Sequence, residues 1–252
     1  TWGTGPGIVA PFAAAVEQGE RDGRLTILPR HRVGELTVAD GTVTGARGDI
    51  LATSGAERGV PSSREVIGEF QISATATIVC SGGIGGNHDL VRAAWPERLG
   101  TAPDHMLTGV PAYVDGSMHR VSEVAGARLI NGDRMWHYVE GITNWDPVWP
   151  SHGIRILPGP SSLWLDATGK RLPVPLFPGF DTLGTLEHLR TTGHDHSWFV
   201  TSRQIVEKEF ALSGSEQNPD LTGKDVGLLL KSRLAKGPTG PVQSFLDEGE
   251  DF

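Results

Sequence analysis

The segment from residue 135 to residue 164 carries the side chains best suited to acid–base chemistry. It contains the adjacent groups His137 and Tyr138, followed by His152 and Arg155. A tyrosine or histidine within hydrogen-bond reach of a substrate can donate or accept a proton. The same segment holds four of the seven tryptophans: Trp136, Trp145, Trp149 and Trp164. Such aromatic residues form either an ordinary core or the apolar walls of a pocket for a flat organic substrate.

A second candidate site is the glycine-rich stretch that ends at Asn87. The apolar, β-branched run Thr77–Cys80 predicts a buried strand, which stops at Ser81, Gly82 and Gly83. Because glycine lacks a Cβ atom, such a turn lets a large, flat ligand approach the backbone. In open α/β sheets, ligands bind beyond the carboxyl ends of the strands. A glycine-rich turn without a ligand is the alternative interpretation.

Two other motifs fit known chemistry less well, and a third motif is missing. The run Gly3–Gly7 has the spacing G-x-G-x-G, with no preceding strand and no acidic residue in a βαβ unit, which disfavours a dinucleotide fingerprint. A contact from this glycine-rich loop to a phosphate at a helix N-terminus stays open. His188 and His194–His196 resemble metal ligands, but no matching cysteine or carboxylate motif accompanies them. No G-x-S-x-G elbow is present, which disfavours a serine hydrolase. A metallohydrolase built on the histidines remains an alternative.

The composition limits the classes of molecule that this chain could bind. The formal net charge of -8 argues against nucleic acid or an anionic membrane surface, and no apolar run is long enough to span a bilayer. The single cysteine, Cys80, excludes a disulfide framework and favours the cytoplasm. Because the chain opens on Thr1 without a methionine and closes on an acidic stretch, we expect it to be an internal piece of a longer polypeptide.

Hydrophobic patterning predicts the elements that position these residues. We expect a helix over 7–18, a strand over 25–28, a hairpin of 35–38 and 42–46 around Asp40–Gly41, a loop over 49–69, and strands over 70–72 and 77–80. This is a small antiparallel meander that leads into a buried strand. Further helices are expected over 115–126, 196–211 and 224–236, with a domain boundary near residue 102.

Three segments, in this order, resemble the FAD-dependent fumarate reductase and 3-ketosteroid dehydrogenase superfamily. Residues 76–87 are similar to the family's strand that ends in A-T-G-G and an asparagine beside the cofactor. Residues 115–127 resemble its D-G-x-x-x-A…G-A helix, and residues 162–172 its apolar strand with D/N-x-x-G-K-R-F. The aromatic segment is similar to an actinobacterial branch of FAD-binding dehydrogenases.

The resemblance implies FAD as the cofactor and an α/β (mixed α+β) fold. Residues 1–102 would form part of an FAD-binding domain, with the meander, a core strand and helices. Residues 103–252 would form a substrate-capping α+β domain. The positions that correspond to cofactor contacts in the family are Val33, Ser81, Gly82, Gly83 and Asn87. Val33 would hold adenine through its backbone, residues 81–83 would lie along FAD, and Asn87 would begin the next helix.

The departures from the family pattern bear on the substrate. Fumarate reductases have a histidine where this chain has Tyr138, and a proton-delivering arginine where this chain has residues 158–162, which contain none. A small dicarboxylate needs cationic clamps, so fumarate reduction is disfavoured. A tyrosine beside tryptophans resembles the ketosteroid dehydrogenases, in which a phenol activates a carbonyl. We therefore expect Tyr138 to act on an apolar carbonyl substrate, with His137, His152 and Arg155 as further candidates.

Two expectations follow for the isolated chain. The family's pyrophosphate-binding glycine motif and its second glycine-rich segment have no counterpart here, so we expect weak FAD binding by this chain alone. The enzyme interpretation predicts that Trp136–Trp164 face the Gly82–Gly83 turn across a groove. The alternative is a non-catalytic binding domain whose aromatic segment is a partner surface, which predicts a large exposed apolar patch.

Overall fold

Mixed α/β structure with antiparallel sheets is seen in the computed structural model, which describes residues 5–57, 60–135, 137–157, 161–209, 211–212, 225–234 and 241–248. The helices are α1 (Gly5–Arg21), α2 (His88–Ala93), α3 (Ser117–Val124), α4 (Thr182–Thr191), α5 (Arg203–Glu209), α6 (Val226–Leu234) and α7 (Pro241–Glu248). The strands are β1 (His31–Ala39), β2 (Thr42–Leu51), β3 (Val66–Ser73), β4 (Gly141–Thr143), β5 (Gly153–Leu157), β6 (Leu163–Asp166), β7 (Ser197–Val200) and β8 (Ala211–Leu212). In the described residues they pair as β1-β2-β3, β4-β5-β8 and β6-β7.

The predicted meander is confirmed as the first sheet. The β1–β2 hairpin turns at Asp40 and Gly41, whose φ angles of 49° and 75° are both left-handed, as a two-residue type I′ turn requires. The strands extend beyond the expected bounds, so residues 49–51 and 66–69 of the loop predicted over 49–69 are strand instead. Its polar ends are strand because Asp49 pairs with Glu69 across β2 and β3. Backbone pairing here overrides side-chain polarity.

Two strand predictions in the first half are wrong. Residues 25–28 are not a strand, because the chain turns back on the end of α1, where the backbone N–H groups of Arg24 and Leu25 donate to Gly19 O. Residues 77–80 have no regular secondary structure, and no described segment hydrogen-bonds to them as a strand. Ile78 is 87% exposed and Cys80 is exposed as well. A strand is defined by its neighbour, and this apolar segment has none in the described part of the chain.

The second half was predicted less well. The helix expected over 196–211 is wrong at its start, because residues 197–200 form β7 and pair with β6. Of the described residues in that range, only those of α5 are helical. The helix over 115–126 is confirmed as the shorter α3, and the helix over 224–236 as α6, while residues 224, 235 and 236 lie outside the described residues. Two small cores support this half: one contains Ile154, Ile156 and Val206, and the other Trp164, Leu172 and Leu189.

Candidate functional site

One large cavity brings the glycine-rich turn and the aromatic segment together. It has a volume of about 1600 Å³, and Gly83 and Gly85 lie in its wall. The candidate side chains Tyr138, His152 and Arg155 line the same cavity, as does His137. Of the four tryptophans in the aromatic segment, Trp149 lines it, whereas Trp164 is buried in a core. Trp136 lies outside the described residues.

Hydrogen bonds to the loop before α3 hold the glycine-rich turn in place. The N–H of Gly86 donates to Val114 O at 2.8 Å, and the carbonyl of Gly83 accepts from the N–H of Gly116 at 3.0 Å. A Cβ atom at Gly86 would lie 2.5 Å from Pro111 O, whereas one at Gly83 would have no neighbour within 4 Å. Gly86 is therefore required by close backbone packing. Gly83 instead presents bare backbone and open space to the cavity.

The other predicted cofactor residues lie in three different places: Ser81 and Gly82 in a second cavity, Val33 in β1, and Asn87 at the start of α2. Ser81 and Gly82 line a second, smaller cavity of about 610 Å³, together with Leu36 of β1. Gly82 has a φ of 87°, which favours glycine at this position. Val33 is half-buried in β1, pairs with Gly48, lies next to an irregularity in the strand register, and lines neither cavity.

Asn87 acts as the N-cap of α2. Its Oδ1 accepts a hydrogen bond from the N–H of Leu90 at 3.2 Å, and its Nδ2 donates to Asp115 O at 3.4 Å. A side-chain cap of this kind satisfies a backbone donor that the first helical turn leaves unpaired. Asn87 thus begins the helix after the glycine-rich turn, as the sequence indicated, and ties this helix to the loop before α3.

Tyr138 lies beneath a cation. The Cζ atom of Arg155 is 4.0 Å from the centroid of the Tyr138 ring, which is a cation–π distance. The Nε of Arg155 is in turn 3.5 Å from Oε2 of Glu140, whose side chain is 2% exposed. The Tyr138 side chain remains accessible, since this residue is 46% exposed. Glu140 does not stand out in the sequence, because a lone glutamate in an aromatic segment carries no motif.

His137 is half-buried and packs against an aromatic residue. Its ring centroid is 4.9 Å from that of Trp95, another residue without a motif. Burial lowers the pKa of His137, and the positive charge of Arg98 lowers it further. The imidazole is therefore neutral at pH 7. Its Nε2 is buried and has no hydrogen-bond partner among the described residues.

His152 organises the loop between β4 and β5. Its Nδ1 is 3.0 Å from Nδ2 of Asn144 and 3.1 Å from the N–H of Val148, so both groups donate to it. Because Nδ1 is the acceptor, the proton of the neutral ring lies on Nε2. The ring stacks on Trp149 with centroids 3.8 Å apart. These contacts give His152, which is buried, an evident structural role at the edge of the cavity.

The third family-like segment forms a tight turn. Oδ1 of Asp166 accepts hydrogen bonds from the Thr168 hydroxyl at 2.6 Å, the Thr168 N–H at 2.9 Å and the Lys170 N–H at 3.0 Å. The Thr168 hydroxyl contributes most to lowering the pKa of Asp166, and the backbone donors add to it. Gly169 has a φ of 83°. The residue types of this motif are thus explained by the turn that follows β6.

The described residues contain neither a candidate metal cluster nor a membrane-spanning helix. No group of three or more His, Cys, Asp or Glu side chains there could hold a metal ion, and the rings of His194 and His196 contact each other edge to face. Within that same part of the chain, each helix is too short or too polar to cross a membrane.

Comparison with known protein families shows to which class of protein this chain belongs. Residues 1–242 match the FAD binding domain family, so this chain belongs to that family of flavoproteins. The match confirms the resemblance drawn from the three sequence segments, and with it FAD as the cofactor of the full-length protein.

The curated relatives that this chain matches have more specific names than the family. The chain is 60% identical over 252 residues to a KsdD-like steroid dehydrogenase of Mycobacterium tuberculosis (strain CDC 1551), and 60% identical over 252 residues to one of Mycolicibacterium smegmatis. Each alignment covers 100% of this chain but only 44% and 45% of the respective relative. The chain therefore spans less than half the length of these relatives. No solved structure matches it.

Proposed function

We propose that this chain supplies the substrate-facing part of an FAD-dependent dehydrogenase. The reaction would act on a C–C bond next to the carbonyl of an apolar, ketosteroid-like substrate. The observation that carries the proposal is the shared cavity, in which accessible Tyr138 lies beneath Arg155 and open Gly83 backbone lies in the wall. The relatives named as steroid dehydrogenases support the same substrate class.

The residues present fit the ring of a flavin better than its phosphates. A flat ring needs backbone that it can approach closely, and Gly83 offers this because a Cβ there would have no neighbour within 4 Å. By the family resemblance, residues 81–83 would lie along the cofactor, with Val33 of β1 near its adenine end. When bound, FAD supplies the hydride acceptor or donor of the reaction.

Tyr138 is the proposed group that acts on the substrate. Its phenolic O–H can donate a hydrogen bond to the carbonyl oxygen, which polarises the carbonyl and makes the adjacent C–H bonds more acidic. The positive charge of Arg155, 4.0 Å from the ring, favours the negative charge that develops at this end of the cavity. His137, neutral at pH 7, is a further candidate for accepting a proton.

The cavity wall suits an apolar substrate. Leu107, Val110 and Trp149 contribute apolar surface, and the last is fixed by a hydrogen bond from its Nε1 to Thr108 O at 3.3 Å. Such surface excludes water and binds a flat hydrocarbon skeleton without charged clamps. A carbonyl would then be the main polar group to be recognised.

The two-part organisation is also proposed. Residues 1–102 would belong to the FAD-binding domain and residues 103–252 to a capping domain. The hydrogen bonds from Gly86 to Val114 and from Gly116 to Gly83 would then join the two parts at the cavity. A site at such a junction would receive the cofactor from one part and the substrate from the other.

The alternative of a non-catalytic domain that uses the aromatic segment as a partner surface is less well supported. Trp164 is 4% exposed, and its Nε1 donates to the Ser197 hydroxyl at 2.9 Å. Trp149 is engaged in the cavity wall. A docking surface would leave such side chains accessible.

Anaerobic mixing of the holoenzyme with substrate tests the proposal. A 3-ketosteroid should bleach the visible absorption of the flavin within the turnover time, whereas succinate should leave the spectrum unchanged. Bleaching by the dicarboxylate alone, or no response to any ketosteroid, would contradict the proposed substrate class.

A further inference from the structure

Glu140 is a buried carboxylate with an ionic contact to a residue of the candidate site. Its side chain is 2% exposed, and neither Oε1 nor Oε2 accepts a hydrogen bond from the described residues. A buried, ionised carboxylate is strongly unfavourable unless an opposite charge compensates it. Arg155, with Nε 3.5 Å from Oε2, supplies that charge.

The β4–β5 ladder fixes the pair of residues. Arg155 lies opposite Gly141 in the strand register, and the N–H of Ile156 donates to Glu140 O at 2.9 Å. Because Gly141 has no side chain, no cross-strand neighbour occupies the position opposite Arg155. Glu140, one residue earlier, carries the carboxylate that contacts the Arg155 guanidinium beside this strand pair.

The same guanidinium lies over Tyr138. We propose that Glu140 is a positioning residue, which holds Arg155 against the Tyr138 ring and thereby orients the phenol in the cavity. Glu140 itself is absent from the cavity wall, whereas Tyr138 and Arg155 line it, so its effect on the reaction passes through Arg155. This inference rests on the proposed function of Tyr138.

Steady-state kinetics of the holoenzyme with a 3-ketosteroid tests the proposal. Glu140→Gln keeps the shape of the side chain and removes its charge, and we expect kcat to fall about tenfold with KM changed less than about twofold, because the phenol loses its orientation. Glu187→Gln, an exposed glutamate on α4 outside the cavity wall, is the matched control and should leave both constants unchanged.

A double-mutant cycle shows whether Glu140 acts through Arg155. We expect Glu140→Gln to cause no further loss of kcat when it is added to Arg155→Gln, because the guanidinium it positions is already gone. The melting temperature gives a readout that does not depend on turnover. The double variant should melt no lower than Arg155→Gln alone, since it buries no unpaired charge. If Glu140→Gln alone fails to fold, the kcat of the double variant is compared with the kcat of Arg155→Gln.

The outcomes that would contradict the positioning role differ from the outcome that would contradict the proposed function. A Glu140→Gln enzyme with a lower melting temperature but wild-type kcat would show a structural ion pair only and would overturn the positioning role. Additive losses of kcat in the cycle would overturn it as well. If Tyr138→Phe also kept full turnover, the proposed function would fail, and the Glu140 role would fail with it.

Discussion

The guanidinium carbon of Arg155 lies 4.0 Å from the centre of the Tyr138 ring, and its Nε lies 3.5 Å from the buried carboxylate of Glu140. A cation over an aromatic face contributes about 0.5–2 kcal/mol, with the larger values at desolvated sites. The arrangement therefore couples the orientation of an accessible phenol to a charge that is fixed inside the protein.

Arg155→Met should destabilise the fold strongly. The substitution leaves the Glu140 carboxylate buried without a cation, and removing one partner of a buried pair costs about 3 kcal/mol or more. Urea denaturation measures this loss. Arg32→Met is the control, because Arg32 pairs with Asp49 at a half-exposed position and should cost at most about 1 kcal/mol. Equal losses in the two variants would contradict a special role for the buried pair.

Two glycines in the same turn should respond differently to alanine. Gly86→Ala places a Cβ 2.5 Å from Pro111 O, so we expect a clear loss of stability. Gly83→Ala meets no atom within 4 Å and should fold normally, yet its methyl group would project into the space proposed for the flavin. The ratio of flavin to protein absorbance in the purified holoenzymes checks this. Full flavin content in Gly83→Ala would place the ring elsewhere.

Asn87 should prove to be a helix cap rather than a flavin ligand. Asn87→Ala removes the acceptor for the Leu90 N–H and should cost about 1 kcal/mol, while Asn87→Asp should retain the cap. Thermal unfolding and flavin content are measured on both variants. A loss of flavin with unchanged stability would assign Asn87 to the cofactor instead.

The pKa shift of His137 predicts acid sensitivity. Burial lowers its pKa in the folded state below the ordinary value of 6.5, so the unfolded state binds the proton first. Stability is therefore fully present above pH 6.5 and is lost as the pH falls below that value. We expect the melting temperature to fall between pH 7 and pH 5 (about the range in which histidine titrates).

Replacement of His137 isolates its contribution to this pH dependence. His137→Phe should show a shallower decline in melting temperature than the wild type over the same range. Some decline should persist, because burial and Arg92 also lower the pKa of His88. An identical slope in the variant and the wild type would remove His137 as the cause.

The local elements were predictable where local chemistry determines them. Asp40–Gly41 requires left-handed backbone and gives a hairpin, and Asn87 supplies a side-chain acceptor where a helix begins. In contrast, residues 77–80 have a strand composition but no pairing partner in the described residues. Strand formation depends on a neighbour that is remote in sequence, and no property of Ile78 or Cys80 reveals whether one is present.

The site was predictable only in part for the same reason. Family-like motifs led to Tyr138 and Gly83, and the structure places both in one cavity. Glu140 and Trp95 were missed, because each acts through a contact made in three dimensions: an ion pair with Arg155 and a packing contact with His137. Glu140 lies directly before β4, a three-residue strand that the sequence did not predict.

Anaerobic flavin reduction by a 3-ketosteroid in Tyr138→Phe tests the central claim most directly. The holoenzyme should retain its flavin and still bind the steroid, while the reduction rate falls about 10³-fold, as expected when the hydrogen-bond donor that polarises the carbonyl is lost. Tyr113→Phe, which replaces the only other tyrosine in this chain, should reduce its flavin at the wild-type rate. A wild-type rate in Tyr138→Phe would contradict the proposal that this phenol acts on the substrate.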